Sequence, residues 1–362
     1  MVSDIRLSKC FKGNTMQKKS IAFIVIVLMS SFIGGNNCFL SVNGSNNYVI
    51  MFDESHGQYF NSSIMRHAID AIYNLTSLIP EISINVIINK DSRFNSTNLQ
   101  GVDLLIITNP GIDYEFSSEE LNAILDYVEL GGSLFLLANP LTKDENITGH
   151  ANIINSILSA RNNKLTTARI RPGLNISHST VIVDDFNHVY DNDTYVHYTG
   201  INFNHTIFQQ DYEIQNITLY STSIELGGEN EQYAIGRTSV TAYSINEQYE
   251  IFRDPVNHFL TWLLAKTIGN SRLVVSGSTV MFSDLPITDN KAWINEAQNL
   301  ELWKNIVLWL LKITPHEQRI VFPVWSFEYF TTIVVIVSIA IFGTSLLLYK
   351  VYEKRKMKVS VK

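Results

Sequence analysis

Cysteine is scarce in this sequence: Cys10 and Cys38 are the only two among 362 residues, and both lie near the amino terminus. The long region after Cys38 therefore has no disulfide framework and no thiol nucleophile. A thiolate metal site is excluded there for the same reason. We expect this region to be stabilised by packing of apolar side chains, which a hydrophobic content of 46% can supply.

Motifs for phosphate and metal binding are also missing. The sequence has neither Gly-x-Gly-x-x-Gly nor Gly-x-x-x-x-Gly-Lys-Ser/Thr, so it lacks the usual nucleotide loops. No His-x-His or His-Glu-x-x-His spacing occurs among its 9 histidines. We predict no cofactor and no metal. The net charge of -7 argues against a nucleic-acid partner, because phosphate binding needs a basic face.

Long uncharged apolar segments are confined to the two ends of the chain. Residues 329–349 carry no charge, and as a helix they have about the length that ~30 Å of hydrocarbon requires. The lysine-rich residues 350–362 then predict a cytoplasmic tail. Within residues 1–42 a basic segment precedes an apolar run, which indicates either a cleaved signal peptide or a retained signal anchor.

These end segments together predict a protein of the plasma membrane or an endomembrane. It would have one span, or two if the amino-terminal signal is retained, with its bulk extracytoplasmic or lumenal. The predicted outer part holds Asn-x-Ser/Thr sequons, which are compatible with glycosylation or with chance in an Asn-rich chain. The candidates are Asn43, Asn61, Asn74, Asn95, Asn146, Asn175, Asn192, Asn204 and Asn216.

Strand and helix patterns alternate over residues 47–165. Short apolar runs rich in β-formers alternate with segments that have apolar residues at helical spacing, and Ser117 and Glu120 form a capping box before one of these. Such alternation indicates an α/β fold with a parallel sheet that is covered by helices. The predicted strands are residues 48–52, 82–88, 104–108 and 133–137.

The pattern changes at residue 166 and returns later. Residues 166–250 are rich in Thr, Val, Tyr and Asn, which predicts a β-rich insert. Residues 251–313 resume the α/β pattern, and residues 314–328 form a membrane-proximal linker before the predicted span. In the resumed part we predict a helix that starts at Asp254-Pro255 and runs through Leu264, a strand at residues 273–275 and a helix at residues 300–311.

Two predicted loops lie beyond the carboxyl ends of strands, where open parallel sheets place their sites. Asp53 and His56 follow the first strand, and Asp284 lies after the last, so acid–base chemistry is one interpretation. Turn formation and helix capping are the other, which we favour because no metal-ligand spacing accompanies them. Further candidates for contact with a ligand or partner are Glu54, Ser55, Gly57, Ser276, Gly277, Ser278 and Ser283.

Three segments, residues 49–57, 126–134 and 272–284, resemble the GIFT-domain family. That family includes GldG-type gliding and ABC-transport auxiliaries, an intraflagellar-transport protein and a non-catalytic oligosaccharyltransferase subunit, and the overall plan is most similar to the last. The resemblance implies a Rossmann-like fold similar to class I glutamine amidotransferases. Those enzymes use a cysteine nucleophile that this region lacks, so the resemblance implies a non-enzymatic interaction module.

Three functions follow as hypotheses. The first is a membrane-anchored, non-enzymatic subunit of a membrane-protein complex outside the cytoplasm, with an oligosaccharyltransferase-like N-glycosylation complex as the first candidate. The second is an auxiliary subunit of a GldG-like ABC transport system. The third is a sugar-binding protein or hydrolase that uses the loops of Asp53, His56 and Asp284.

Overall fold

A computed structural model gives the structure of this protein. It describes residues 46–140, 142–163, 165, 169–170, 180–199, 205–209, 211–226, 228–246, 251–252, 259–313, 343–346 and 348–351.

The first part of the described chain alternates strands and helices. Its elements are β1 (Asn46–Asp53), α1 (Arg66–Leu78), β2 (Ile82–Asn89), β3 (Leu104–Ile107), α2 (Ser118–Glu129), β4 (Ser133–Leu137) and α3 (Ala151–Asn163). Short strands follow: β5 (Arg169–Ile170), β6 (Val181–Val183), β7 (His188–Val189), β8 (Asn192–Thr199), β9 (Asn216–Leu219), β10 (Ile224–Glu225), β11 (Ala234–Arg237), β12 (Tyr243–Ile245) and β13 (Ile251–Phe252). The last elements are β14 (Thr261–Ile268), β15 (Ser271–Ser276), β16 (Pro286–Thr288), β17 (Lys291–Ala292) and α4 (Asn299–Leu310).

A central sheet organises the fold. Its parallel part has the order β2-β1-β3-β4-β15. On the β15 side, β14 adds in antiparallel direction and is followed by β10 and β5, and β11 also pairs with β14. The protein therefore has a mixed α/β fold with a parallel-rich central sheet, and the predicted α/β class is confirmed to this extent.

Helices cover both faces of this sheet. On one face α1 and α4 pack with Phe52, Leu104 and Phe135, and on the other α2 and α3 pack with Leu105 and Leu134. Because the central strands are buried on both sides, β3 and β4 are fully buried and read as continuous apolar runs. The parallel strands all point the same way, so the loops after β1, β3, β4 and β15 meet at one edge.

The predicted β-rich insert contains small antiparallel sheets. One has the order β7-β8-β9 and another the order β13-β12-β6. Asp184, which is fully buried after β6, accepts hydrogen bonds from Ser239 Oγ, Thr241 Oγ1 and Asn187 Nδ2. These bonds fasten the end of β6 to the segment before β12 and account for a buried carboxylate in this layer.

One predicted helix is wrong. The sequence favours a helix from Asp254 through Leu264, but the structure has the strand β14 at Thr261–Ile268, and residues 254–258 lie outside the described residues. The apolar residues that suggested helical spacing belong to a strand whose first five residues are all buried, between β15 and the short strands of the insert. The predicted helix at residues 300–311 is confirmed as α4.

The predicted membrane localisation is contradicted. In the part of the chain that the structure describes, no helix combines the length and the apolar character needed to cross a bilayer. Of the predicted span, residues 343–346, 348 and 349 lie within the described residues and are helical. The amino-terminal signal, the linker and the rest of the span and tail lie outside the described residues.

Candidate functional site

The loop after β1 brings two of the predicted catalytic candidates together. Nδ1 of His56 lies 2.7 Å from Oδ2 of Asp53. Asp53 also accepts bonds from Ser55 Oγ, at 2.7 Å, and from Asn89 Nδ2, at 3.1 Å, and Gln58 Nε2 donates to it as well. The carboxylate of Asp53 is thus surrounded by donors from its own loop and the end of β2, which is the expected state of a fully buried carboxylate.

The Nε2 edge of the imidazole contacts a residue that lies far away in the sequence. Nε2 of His56 lies 2.9 Å from Oε1 of Glu120, the capping-box residue of α2. The rings of Phe94 and Phe116 pack on the imidazole, with centroids 5.1 and 4.4 Å away. His56 is only 3% exposed and Glu120 only 1%, so solvent hardly reaches this group.

Two carboxylates determine the charge of this imidazole. Burial acts to lower the pKa of His56, but the hydrogen bonds and charges of Asp53 and Glu120 outweigh it, so the pKa lies above its ordinary value. Burial raises the pKa of Glu120, but hydrogen bonds from the Ser117 amide and from His56 outweigh it and leave the pKa lowered. Because both ring nitrogens face carboxylate oxygens, the arrangement is that of an imidazolium with two N–H donors.

Asp284 is not part of this group. Its Oδ1 lies 2.7 Å from Nδ1 of His67, and its Oδ2 accepts a 3.1 Å bond from the backbone N–H of His67. His67 belongs to the first turn of α1, so this aspartate satisfies an amide that the helix leaves without an internal partner. The structure therefore pairs Asp53 with His56 and places Asp284 at the start of a helix.

The other candidates of the first loop have structural contacts. A carboxylate oxygen of Glu54 accepts a bond from the backbone N–H of Ser62. Gly57 has a φ of 65°, in the left-handed region, and the ring of Tyr114 occupies the space that a β-carbon would need. The positive φ therefore favours glycine in the turn after β1, and a β-carbon there would also displace the ring of Tyr114.

The polar side chains of the loop after β15 are also used in hydrogen bonds within the loop. The hydroxyl of Ser276 donates to the carbonyl of Ser278, and that of Ser283 donates to the carbonyl of Val280. The hydroxyl of Ser278 accepts the backbone N–H of Met281. Gly277 lies against the backbone of Thr222, where no β-carbon fits. Ser276, Ser278 and Ser283 are fully buried, so these hydroxyls organise the loop.

The described sequons lie on segments of differing exposure. Asn74, Asn95 and Asn146 are exposed, and Asn61, Asn192 and Asn216 are partly buried. Glycosylation at these residues stays a prediction. Asn43, Asn175 and Asn204 lie outside the described residues.

An open cleft of about 200 Å³ lies beyond the carboxyl ends of the parallel strands. Tyr59 comes from the segment after β1, Asp144 from the segment after β4, and Leu285 from the segment after β15. The insert supplies Tyr195 from β8 and Tyr220 just after β9. The remaining lining residues are Ile147, Val280, Pro286 and Trp293.

Three aromatic rings form a corner in this cleft. The ring of Tyr195 stands at 80° to that of Trp293 and at 73° to that of Tyr220, with centroids 4.8 and 5.7 Å apart. Tyr220 and Trp293 are nearly parallel, at 25°. Trp293 is only 3% exposed and its backbone N–H bonds to the carbonyl of Leu285, so it forms the base of the corner.

The sequence did not single out the cleft residues. The rule that sites lie beyond carboxyl ends does apply to Tyr59, Asp144 and Leu285, and it could have drawn attention to them. No such rule reaches Tyr195 and Tyr220, because their position depends on how the insert packs on the sheet. Over the described residues, no group of His, Cys, Asp and Glu side chains could hold a metal ion.

Comparison with known proteins found likeness in structure alone. No family model matches the sequence, and no curated protein matches it. The cytoplasmic protein STM1381 from Salmonella typhimurium LT2 is similar with a TM-score of 0.42 and 14% identity, over 73% of this chain and 99% of that chain. The cytoplasmic protein STM3548 from Salmonella typhimurium has a TM-score of 0.36 and 12% identity, over 73% of this chain and 98% of that chain.

A thua-like protein from Parabacteroides merdae is also similar, with a TM-score of 0.38 and 9% identity, over 75% of this chain and 92% of that chain. Likeness at this level carries no argument about function. The description of the two Salmonella proteins as cytoplasmic differs from the extracytoplasmic localisation predicted from the sequence. None of the three is described as a GIFT domain, so the resemblance to that family stays a prediction.

Proposed function

We propose that this protein is a non-enzymatic binding protein, in which the α/β domain is a scaffold and the aromatic cleft receives the ligand. One observation carries the proposal. The group that joins an imidazole to two carboxylates, His56 with Asp53 and Glu120, is buried and occupied by its own hydrogen bonds. The cleft, by contrast, is open and has exposed residues at Asp144 and Pro286.

The composition of the cleft supports binding without chemistry. Its lining contains no Ser, Thr, Cys, Lys or His, so it lacks the Ser–His, Cys–His and Lys arrangements that usually form an activated nucleophile. Asp144 is its one carboxylate, whereas hydrolysis of a glycosidic bond normally uses two.

The order of the parallel strands supports the finer description of the fold. We propose a Rossmann-like domain of the class I glutamine amidotransferase type, carrying a β-rich insert. In such sheets ligands bind beyond the carboxyl ends of the strands, and the cleft has this position. A role as accessory subunit of a larger assembly, of the oligosaccharyltransferase or GldG type, is proposed on the resemblance alone.

The alternative is an enzyme that uses Asp53 and His56. It is weaker because a substrate would have to displace the packing of Phe94 and Phe116 before it reached the imidazole. Binding of a substrate to the imidazole would also break a hydrogen bond of the buried ion group, which is unfavourable in free energy.

The test is a binding and turnover screen on the full chain. Tryptophan fluorescence would be followed with sugars, amino acids, short peptides, nucleotides and small amines, and each mixture would be analysed by mass spectrometry. We expect one class to change the emission of the protein, to lose this effect in Tyr195→Leu, and to be recovered chemically unchanged. Tyr73→Leu is the matched control, since Tyr73 is 45% exposed on α1 and is not a cleft residue. Conversion of a compound that is abolished by His56→Gln would overturn the proposal.

A further inference from the structure

We infer that the cleft takes an alkylated ammonium group, meaning a quaternary ammonium or a methylated amine. This inference rests on the proposed binding function and names the ligand class for the same site. It follows from the rings, the charge and the size of the cleft, together with what its lining lacks.

The rings provide the first part of the argument. A cation over the face of a tryptophan or tyrosine is attracted by the negative potential of the ring, and the attraction grows when several rings surround it. The ring of Tyr195 stands nearly at right angles to the rings of Tyr220 and Trp293 and packs against both, so the three rings form a two-sided corner. Tyr59 adds a fourth ring from the segment after β1. A roughly spherical cation can contact walls of different orientation, whereas a flat ligand would use only one of them.

Charge is the second part. Asp144 is the only charged residue among the nine that line the cleft, and it is exposed at the rim. Its Oδ1 accepts bonds from the backbone and side-chain amides of Asn146, at 3.0 and 3.1 Å, which holds the carboxylate in place. No lysine, arginine or histidine lines the cleft, so an anionic ligand would meet a carboxylate without any compensating positive side chain.

The aliphatic part of the lining favours an alkylated ammonium over a sugar. Ile147, Val280, Leu285 and Pro286 have side chains without hydrogen-bonding groups. Sugar hydroxyls that faced these four side chains would lose water without gaining partners there, and only Asp144 and the tyrosine hydroxyls could bond to them. Methyl groups on nitrogen need no partner, and they spread the positive charge over a surface that can contact apolar side chains.

The size of the cleft is consistent with a head group. Its volume of about 200 Å³ is below the ~300–1,000 Å³ that is usual for drug-sized ligands. The same head group can come from a free small molecule such as choline or from a methylated lysine of another protein. The cleft chemistry is shared by both, so the experiment must separate them.

The experiment is calorimetric titration of the full chain with four probes. These are tetramethylammonium, choline, a short peptide that contains trimethyllysine, and the neutral carbon isostere of choline in which a tert-butyl group replaces the trimethylammonium group. We expect the cations to bind and the isostere to bind about fivefold or more weakly, since only the charge differs. Tighter binding of the peptide would identify a protein source, and tighter binding of choline a small molecule.

Variants of two cleft residues test whether the ligand binds in the cleft. Tyr195→Phe keeps the ring and should change the affinity for choline by less than about twofold, whereas Tyr195→Leu should weaken it by about fivefold or more. Asp144→Asn should also weaken it, with Asp113→Asn as the matched control on an exposed aspartate outside the cleft. Each variant is compared with the parent chain by thermal unfolding, and the isostere comparison requires no variant at all.

Two results would overturn the inference. One is the absence of binding by every ammonium probe, and the other is equal binding of choline and its neutral isostere. If a sugar or an unmethylated peptide bound instead, in a manner lost in Tyr195→Leu, the ligand class would be wrong while the proposed binding function stood. If no compound of any class bound, the proposed function would fail as well.

Discussion

His56 and Glu120 are joined by a 2.9 Å contact between Nε2 and Oε1, although 64 residues separate them in the chain. The same carboxylate accepts the backbone N–H groups of Ser117, at 3.0 Å, and of Phe94, at 3.2 Å. One side chain therefore closes the capping box of α2, holds the segment before it, and fixes the orientation of the imidazole after β1. Asp53 meets the opposite ring nitrogen, so a buried positive charge lies between two negative ones.

Replacement of His56 should destabilise the fold strongly. In His56→Gln the carboxylates of Asp53 and Glu120 stay buried without the positive charge between them, and loss of one partner of a buried ion group costs about 3–5 kcal/mol. Urea denaturation would measure the free energy of unfolding. His67→Gln is the control, because the side chain of His67 is 58% exposed and its pairing with Asp284 should contribute at most ~1 kcal/mol. Equal losses in the two variants would contradict the buried ion group.

The contribution of His56 should depend on pH in a defined direction. Its folded pKa is raised above the ordinary 6.5, so the stabilisation is fully present below 6.5 and is lost as the pH rises through the folded pKa. The folded pKa of Glu120 is lowered below 4.5, so its contribution is present above 4.5 and is lost as the pH falls through the folded value.

The measurement is the difference in unfolding free energy between the parent chain and His56→Gln across the pH range. The difference should be largest between pH 4.5 and 6.5 and should decrease on both sides. Burial lowers the pKa of both His197 and His205, but these two histidines titrate in both proteins and cancel in the difference. A difference that grew above pH 6.5 would show that the imidazole is held neutral.

Local signals made the first half of the fold predictable. The strands β1, β2, β3 and β4 and the capping box at Ser117 and Glu120 were all expected, because apolar runs and helix caps are encoded within a few residues. The contact of His56 with Glu120 was not expected. The local sequence around His56 indicates a turn, and that around Glu120 indicates a helix cap. Their contact depends on the packing of the loop after β1 against α2.

The strand β14 shows where local reasoning failed and what could have corrected it. The buried first part of this strand has no polar alternation, so its apolar residues also match helical spacing. The dipeptide Gly269-Asn270 is the local sequence feature that favours a strand and a hairpin over a helix. The flanking residues Ile268 and Ser271 pair with each other, and Gly269 has a φ of 57°, as the first central residue of a tight hairpin turn requires. Glycine–asparagine between two apolar runs predicts this hairpin.

The capping box should contribute a measurable part of the stability of α2. The hydroxyl of Ser117 accepts the backbone N–H of Glu120 at 3.2 Å, and Ser117→Ala removes this bond and leaves an amide of the first turn without its partner. We expect a loss of about 1 kcal/mol in the free energy of unfolding. Ser118→Ala is the matched control at the next position, since Ser118 is exposed and alanine favours helix there. An unchanged stability in Ser117→Ala would show that Glu120 alone caps the helix.

Gly277 should not tolerate even alanine. It lies in the loop after β15, where its N–H donates to the carbonyl of Trp262 and its carbonyl accepts the N–H of Thr222, so the backbone is held from both sides. A β-carbon there would run into the carbonyl of Thr222, which is backbone and has no alternative rotamer. Since an overpacked core site typically costs about 1–3 kcal/mol, we expect Gly277→Ala to lie at the upper end of that range.

The comparison variant is Gly269→Asn, in the turn between β14 and β15. Nothing lies within 4 Å of the β-carbon position at Gly269, and asparagine tolerates its positive φ better than other side chains do. Gly269→Asn should therefore cost less than the ~1–2 kcal/mol that the left-handed region costs most side chains, because asparagine adopts this conformation routinely. Chemical denaturation of both variants separates the two causes, because Gly277→Ala tests a steric contact alone. If Gly277→Ala were as mild as Gly269→Asn, the loop after β15 would not be packed against Thr222 as closely as the structure has it.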